Sequence, residues 1–188
     1  FVFLGWLGTS RGVLMIKKTN TFGGGAQTNI NGLQFEKDTD LKQAIRQLPG
    51  YLIDVNDRIL KDGKPVGQYF EKHGLYENLL RPRGIDYKKI ISKKLLPDGA
   101  LLVGNVLYII EKKYQAGSGS VDEKLQTCDF KKKQYQKLVA QLGLTVEFYF
   151  VLNYWFDKHV YKDVFDYIHQ VNCRYFFESL PLSEVGLS

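Results

Sequence analysis

Asp98, Glu111 and Lys113 are spaced so that a sheet could bring them together. They lie in the segment Pro97-Asp98-Gly99-Ala100-Leu101-Leu102-Val103-Gly104-Asn105-Val106-Leu107-Tyr108-Ile109-Ile110-Glu111-Lys112-Lys113. A Gly-Asn pair between two apolar runs is a two-residue hairpin signal. With Gly104-Asn105 as the turn, Val103 faces Val106, and counting outward sets Asp98 opposite Glu111. Directly opposed residues have Cβ atoms roughly 4.5–5.5 Å apart. Strand side chains alternate, so Lys113 points to the same face as Glu111. Two carboxylates and an ammonium on one patch of sheet suit a hard divalent cation and an activated water. Facing carboxylates also destabilise a sheet until something neutralises them. A metal ion would do so, and so would a lysine.

The tripeptide acid-x-Lys carries little information by itself. It occurs six times, ending at Lys42, Lys64, Lys88, Lys113, Lys124 and Lys131. Of these, the one ending at Lys113 closes an apolar strand with an aspartate paired across a two-residue turn. That aspartate follows Pro97 in the chain's one Pro-Asp dipeptide.

The elements that must hold this hairpin can be read in outline. Thr21 to Asn31 looks like a loop, with Gly23-Gly24-Gly25. A helix is predicted over 31–48, with Leu33, Phe35, Leu41, Ala44, Ile45 and Leu48 as its apolar face and Pro49-Gly50 as its stop. Tyr51 to Val55 alternates like a strand, and Lys61-Asp62-Gly63-Lys64 turns the chain. Gln68 to Leu80 reads as a short helix and Tyr87 to Lys93 as a strand. After the hairpin, Ser120-Val121-Asp122-Glu123 has the capping-box pattern of a helix start. Val121, Leu125, Cys128, Tyr135, Leu138, Val139 and Leu142 recur at helical spacing, with Lys124, Lys131 and Lys132 mostly off that stripe. Gly143 ends the helix. Thr145 to Leu152 reads as a buried strand, Tyr161 to Val171 as a helix and Arg174 to Leu180 as a last strand. The fold class expected is mixed α/β: a central mixed β-sheet flanked by helices. The strand after the long helix would join the sheet by a right-handed crossover.

Bulk properties agree with such a domain. The 188 residues favour one domain, and 44% apolar content places the chain among folding sequences rather than disordered ones. The net charge of +6 suits a polyanionic partner. Cys128 and Cys173 form no CxxC pair, and His73, His159 and His169 complete no zinc pattern, so a reduced, cytoplasmic setting is expected. No run of 18 apolar residues exists, so no membrane partner is expected. Phe1 to Leu14 is glycine-broken and precedes the one methionine, Met15. It reads as a non-native extension ahead of a start at Met15, with a fragment or an ordered N-terminal strand as the alternative.

The order of elements and the matching residues, Pro97-Asp98 and then Glu111-Lys112-Lys113, resemble the PD-(D/E)XK nuclease superfamily, and within it the type II restriction endonucleases. The resemblance implies a restriction-endonuclease-like αβββαβ core. That core would use residues 31–48, three strands between 87 and 114, residues 120–142 and residues 145–152. Residues 15–188 would be one nuclease domain, with about 50–86 as an insertion. It implies one or two Mg²⁺ ions held by Asp98, Glu111 and the backbone carbonyl near Lys112, with Lys113 handling the attacking water. Glu36 matches an acid often found on the first helix, although an ordinary solvated helix acid is an equal alternative. Gln115 or Lys124 would help in orientation, and Lys124 is also a candidate DNA contact. Lys88, Lys89, Lys93, Lys94, Arg81 and Arg83 are the candidate phosphate contacts. Lys131-Lys132-Lys133 reads more readily as a solvated helix face. The implied partner is double-stranded DNA, cut by a site-specific enzyme that is a homodimer if its target is palindromic, in a bacterial, phage or viral cytoplasm. Two alternatives stay open: a structure-specific repair or junction-resolving nuclease, and a non-catalytic nucleic-acid-binding protein.

Overall fold

A computed structural model describes residues 24–117 and 121–188, with residues 24–29, 38, 121 and 122 described in backbone course alone. The extension at 1–14, the start at Met15 and Ser120 of the capping pair lie outside the described residues.

Seven strands form one sheet in chain order: β1 Tyr51–Ile53, β2 Arg58–Lys61, β3 Lys64–Phe70, β4 Gly99–Val103, β5 Val106–Lys113, β6 Thr145–Leu152 and β7 Arg174–Phe177. Neighbours from β1 to β5 are antiparallel. The β5–β6 and β6–β7 pairs are parallel. Parallel neighbours need long crossovers. The first is made by α3 (Val121–Leu125) and α4 (Cys128–Val139), the second by α5 (Lys162–Gln170). Helices α1 (Gly24–Asp38) and α2 (Leu41–Gln47) precede the sheet. The fold is therefore mixed α/β, with a seven-stranded mixed sheet flanked by helices.

Strand alternation splits the interior into two cores. Phe70, Ala100, Leu107, Ile109, Phe148 and Phe150 pack on one face with Cys128, Tyr135 and Leu138 of α4. Tyr69, Leu101, Ile110, Tyr149 and Val151 pack on the other with Phe35 of α1 and Leu41 and Ile45 of α2. The hairpin has the register counted from its turn: Val103 pairs with Val106, and Gly99 with Ile110. Gly104 takes a φ of 58°, as a tight hairpin turn with glycine first requires.

Several elements differ from the sequence expectation, each for a local reason. The helix expected over 31–48 is two helices, and the first begins inside the expected loop, at Gly24. Thr39 Oγ1 donates to the Phe35 carbonyl at 2.7 Å, closing α1. The Asp40 carboxylate accepts from the N–H groups of Lys42 (2.9 Å) and Gln43 (3.4 Å), starting α2. The helix expected from Gln68 is strand β3 followed by a short π-helical turn, Leu75–Leu80. Pro65, which cannot donate to a sheet ladder, sits at a register shift against β2, where proline is tolerated. A Cβ at Gly67 would lie 2.7 Å from the Leu102 carbonyl oxygen, so glycine lets β3 approach β4. The strand expected at 87–93 is a 3₁₀ turn, Tyr87–Lys89, capped by Asp86 accepting from Lys88 N–H. Only two strands thus lie between 87 and 114. The strand that completes the meander is β3, and β1 to β3 all come from the segment read as an insertion. The expected 120–142 helix is α3, α4 and a 3₁₀ turn, Ala140–Leu142, ended by Gly143 at φ 66°.

A methyl at Gly104 would meet nothing within 4 Å. Gly104→Ala should therefore cost only its left-handed backbone strain, about 1–2 kcal/mol. Urea unfolding measures this, and an unchanged stability would mean that the turn relaxes to another form.

Candidate active site

The site lies where β4 begins and β5 ends. Glu111 and Lys113 continue the face of Leu107 and Ile109, toward α4, while Lys112 points to the α1 face. Glu111 is buried, at 5% exposure. Its Oε2 is 2.9 Å from Lys113 Nζ. The same ammonium is 3.6 Å from Asp98 Oδ2 and donates to the Lys112 carbonyl at 2.9 Å. Asp98 stands just before β4 and accepts the Lys112 N–H on Oδ2 at 2.8 Å. That bond carries the β4–β5 pairing one step past Gly99 and fixes the carboxylate. Asp98, Glu111 and Lys113 therefore converge.

The glycine after Asp98 has a steric cause. A Cβ at Gly99 would sit 2.8 Å from the hydroxyl of Tyr69, which is buried on β3. Tyr69 is held there beside Glu71, and burial with that neighbouring charge pushes its pKa up.

Helix α4 adds two residues that the sequence did not single out. Lys131 Nζ also lies 2.9 Å from Glu111 Oε2. Lys131 is thus not a solvated face residue. It stands three residues after buried Cys128 and four before buried Tyr135, a helical spacing that places it on the inward stripe. Lys132 is likewise occupied, by Glu147 at 3.1 Å. The Tyr135 hydroxyl is buried with no hydrogen-bond partner among the described residues. Burial raises its pKa, and the charges of Glu111, Tyr76 and Asp98 add to the shift. An unpaired buried hydroxyl costs about 1–3 kcal/mol, so its neighbourhood is suited to a water.

Other candidates are placed elsewhere. Glu36 is exposed on α1 and does not join Glu111 and Lys113. It borders a separate cavity of about 240 Å³ with Asp40, Tyr69, Glu71, Asp98 and Lys112, so Asp98 is the residue common to both sides. Lys112 Nζ donates to the Glu36 carbonyl at 3.1 Å. Burial pulls the Lys112 pKa down, opposed by Asp40, Asp98, Glu36 and Glu71. Gln115 is a clamp rather than an orienting group: its N–H and C=O pair with the Asn153 amide at 3.0 and 2.8 Å, tying the end of β5 to the end of β6. Lys124 is exposed at the end of α3 and makes no ion pair among the described residues. Lys88, Lys89 and Lys93 are exposed, whereas Lys94 lies 4.9 Å from the ring centres of both Tyr76 and Tyr87.

The donor set suits a hard cation. Glu111 Oε1 and Asp98 Oδ1 have no protein partner among the described residues, and the Lys112 carbonyl is adjacent. No three His, Cys, Asp or Glu side chains among the described residues are grouped to hold a metal. Two carboxylates and a carbonyl leave positions for water, as Mg²⁺ prefers. Among the described residues, no helix is long and apolar enough to cross a membrane. No protein-family model matches the chain, and no curated protein matches it either.

Glu111 is buried against two lysines. Replacing Lys113 and Lys131 together by Met should destabilise the fold by about 3–5 kcal/mol, and adding Glu111→Gln should recover most of it. Denaturant unfolding of the set checks this; no recovery would mean that the lysines act through packing.

Tyr69, Tyr76 and Tyr135 all have raised pKa values, that of Tyr76 to about 12, chiefly through burial. A tyrosine that resists ionisation when folded contributes stability below about pH 10 and loses it as pH rises further. Absorbance at 295 nm should show these three ionising late, together with unfolding. Full titration of all 12 tyrosines near pH 10 with the fold intact would contradict the burial assigned to them.

Proposed function

We propose that this chain is a Mg²⁺-dependent endonuclease that hydrolyses phosphodiester bonds of double-stranded DNA. One observation carries the proposal: carboxylate oxygens of Asp98 and Glu111 meet on the Lys113 ammonium at the end of a hydrogen-bonded hairpin. Asp98, Glu111 and the Lys112 carbonyl would hold the ion. When bound, Mg²⁺ lowers the pKa of a water and offsets phosphate charge.

The protein's own groups have distinct tasks. Asp98 is oriented by the Lys112 N–H, so its free oxygen is presented without searching rotamers. Lys113 stands between both acids and can orient the attacking water and stabilise negative charge as it develops on the phosphate. Lys131 holds Glu111 in place from the helix side. The Tyr135 hydroxyl, free to donate, supports a water beside Glu111. The exposed cations Arg81, Arg83, Lys88, Lys89 and Lys93 supply phosphate contacts, which makes binding salt-sensitive. A site-specific restriction-type enzyme is the first expectation, and a structure-specific repair or junction-resolving nuclease is the neighbouring one.

A purely structural ion-pair cluster, in a nucleic-acid-binding protein without activity, is the competing reading. It is favoured by the balance of two lysines against two acids. Cleavage separates the two. Wild type should nick or cut duplex DNA with Mg²⁺ and stop with EDTA. Asp98→Ala, Glu111→Gln and Lys113→Ala should each lose about 10²-fold or more in rate, while still binding DNA in Ca²⁺. Equal cutting by all four proteins, or no cutting of DNA, RNA or branched substrates by wild type, would refute the nuclease.

A further inference from the structure

A second cavity, of about 420 Å³, opens beside the loop that leads into Asp98. Its lining includes Tyr76, Glu77, Arg81, Asp86, Tyr87 and Lys94. The rings of Tyr76 and Tyr87 meet edge to face with centres 5.3 Å apart, and Lys94 Nζ rests against both. Neither the Lys94 ammonium nor the Arg81 guanidinium has a hydrogen bond or ion pair among the described residues, and the Glu77 carboxylate is also unpaired among them. The wall thus offers π surface, two cations without a direct ion pair, and the carboxylates of Glu77 and Asp86 as acceptors. Its volume is that of a small-molecule site.

Each of these parts matches part of one ligand. Ring faces stack on any nucleobase. Arginine and lysine take phosphate. A carboxylate accepts from a base's exocyclic amine. The surroundings share the bias: residues 81–94 carry Arg81, Arg83, Lys88, Lys89, Lys93 and Lys94 against the single acid Asp86. The cavity is also tied to the candidate active site. The Tyr76 hydroxyl donates to the Leu95 carbonyl at 2.8 Å and accepts the Leu95 N–H at 3.0 Å. From Leu95 to Asp98 the chain can span at most about 11 Å.

We propose that this cavity receives one unpaired nucleotide of the strand being cut, with its base against Tyr87 and its phosphate on Arg81 and Lys94. The inference rests on the nuclease reading for the word "cut", but the binding it describes does not require catalysis. It deepens that reading toward substrates carrying an extruded, flapped or mismatched nucleotide.

The test is binding of the full chain in EDTA, so that no cleavage intervenes. The probes are a short duplex with one unpaired 2-aminopurine nucleotide, the same duplex fully paired, and free deoxynucleoside monophosphates. Fluorescence anisotropy gives affinity, and 2-aminopurine emission reports stacking. Wild type should bind the unpaired probe about tenfold more tightly than the paired one, with quenched emission. Tyr87→Leu should remove that preference and leave paired-duplex affinity within about twofold; Arg81→Gln should remove the preference and weaken the paired probe as well, whereas Lys88→Gln should weaken both probes alike and keep the preference. Circular dichroism of each variant checks that it is folded. No preference in wild type, or a preference kept by folded Tyr87→Leu and Arg81→Gln, would overturn the proposal. Free monophosphates binding as tightly as the unpaired strand would overturn the assignment to a strand. Preference without any cleavage in Mg²⁺ would refute the nuclease and leave the pocket standing. Cleavage without preference would do the reverse.

Discussion

Strand β5 has a hydrogen-bonded neighbour on each side and a packed layer on each face, and it ends in three charged residues. Every side chain along it must therefore answer to one layer or the other. Leu107 and Ile109 satisfy the α4 layer, and Ile110 satisfies the α1 layer. The same alternation then delivers Glu111 and Lys113 to one side and Lys112 to the other. Register at the turn decides which chemistry reaches which face, because a slip of one residue would exchange the two sets. The antiparallel partner brings Asp98 to this end, and the parallel crossover brings α4 over it.

Burying Glu111 would be costly without countercharge. Lys113 comes from its own strand and Lys131 from the crossover helix, so the carboxylate links two layers that otherwise meet through apolar contact. Both ammoniums sit on one oxygen of Glu111. The other oxygen, the outer oxygen of Asp98 and the Tyr135 hydroxyl are left for whatever binds there. Of these groups the Tyr135 hydroxyl is the one buried without a partner among the described residues.

The hairpin was legible because its information is local: a two-residue turn and two apolar runs specify register with no help from distant residues. Strand β6 was legible for a related reason, since a continuous β-branched and aromatic run has few other homes. What escaped was decided by tertiary contact. Gly67 reads as a strand breaker, yet the approach of Leu102 requires it there. Tyr87 to Lys93 has strand-like composition, but Asp86 caps a turn first. Glu36 shares the first helix with residues that pack on the sheet, and only the sheet's position shows that it lies across from Glu111. Lys131 was hidden among three consecutive lysines, although its spacing to Cys128 and Tyr135 marked it as inward-facing.

The separation along the chain between the hairpin and Lys131 has a kinetic meaning. Asp98, Glu111 and Lys113 belong to one local hairpin, and such units form in microseconds. Lys131 arrives only when α4 has crossed over and β6 has paired in parallel, a non-local step that carries a larger closure entropy. The acids and their first lysine can therefore meet by local closure alone, with Glu111 hydrated until α4 covers it. Docking of α4 then removes the water and supplies the second ammonium in the same event. The helix that desolvates the carboxylate is thus the one that carries its second countercharge.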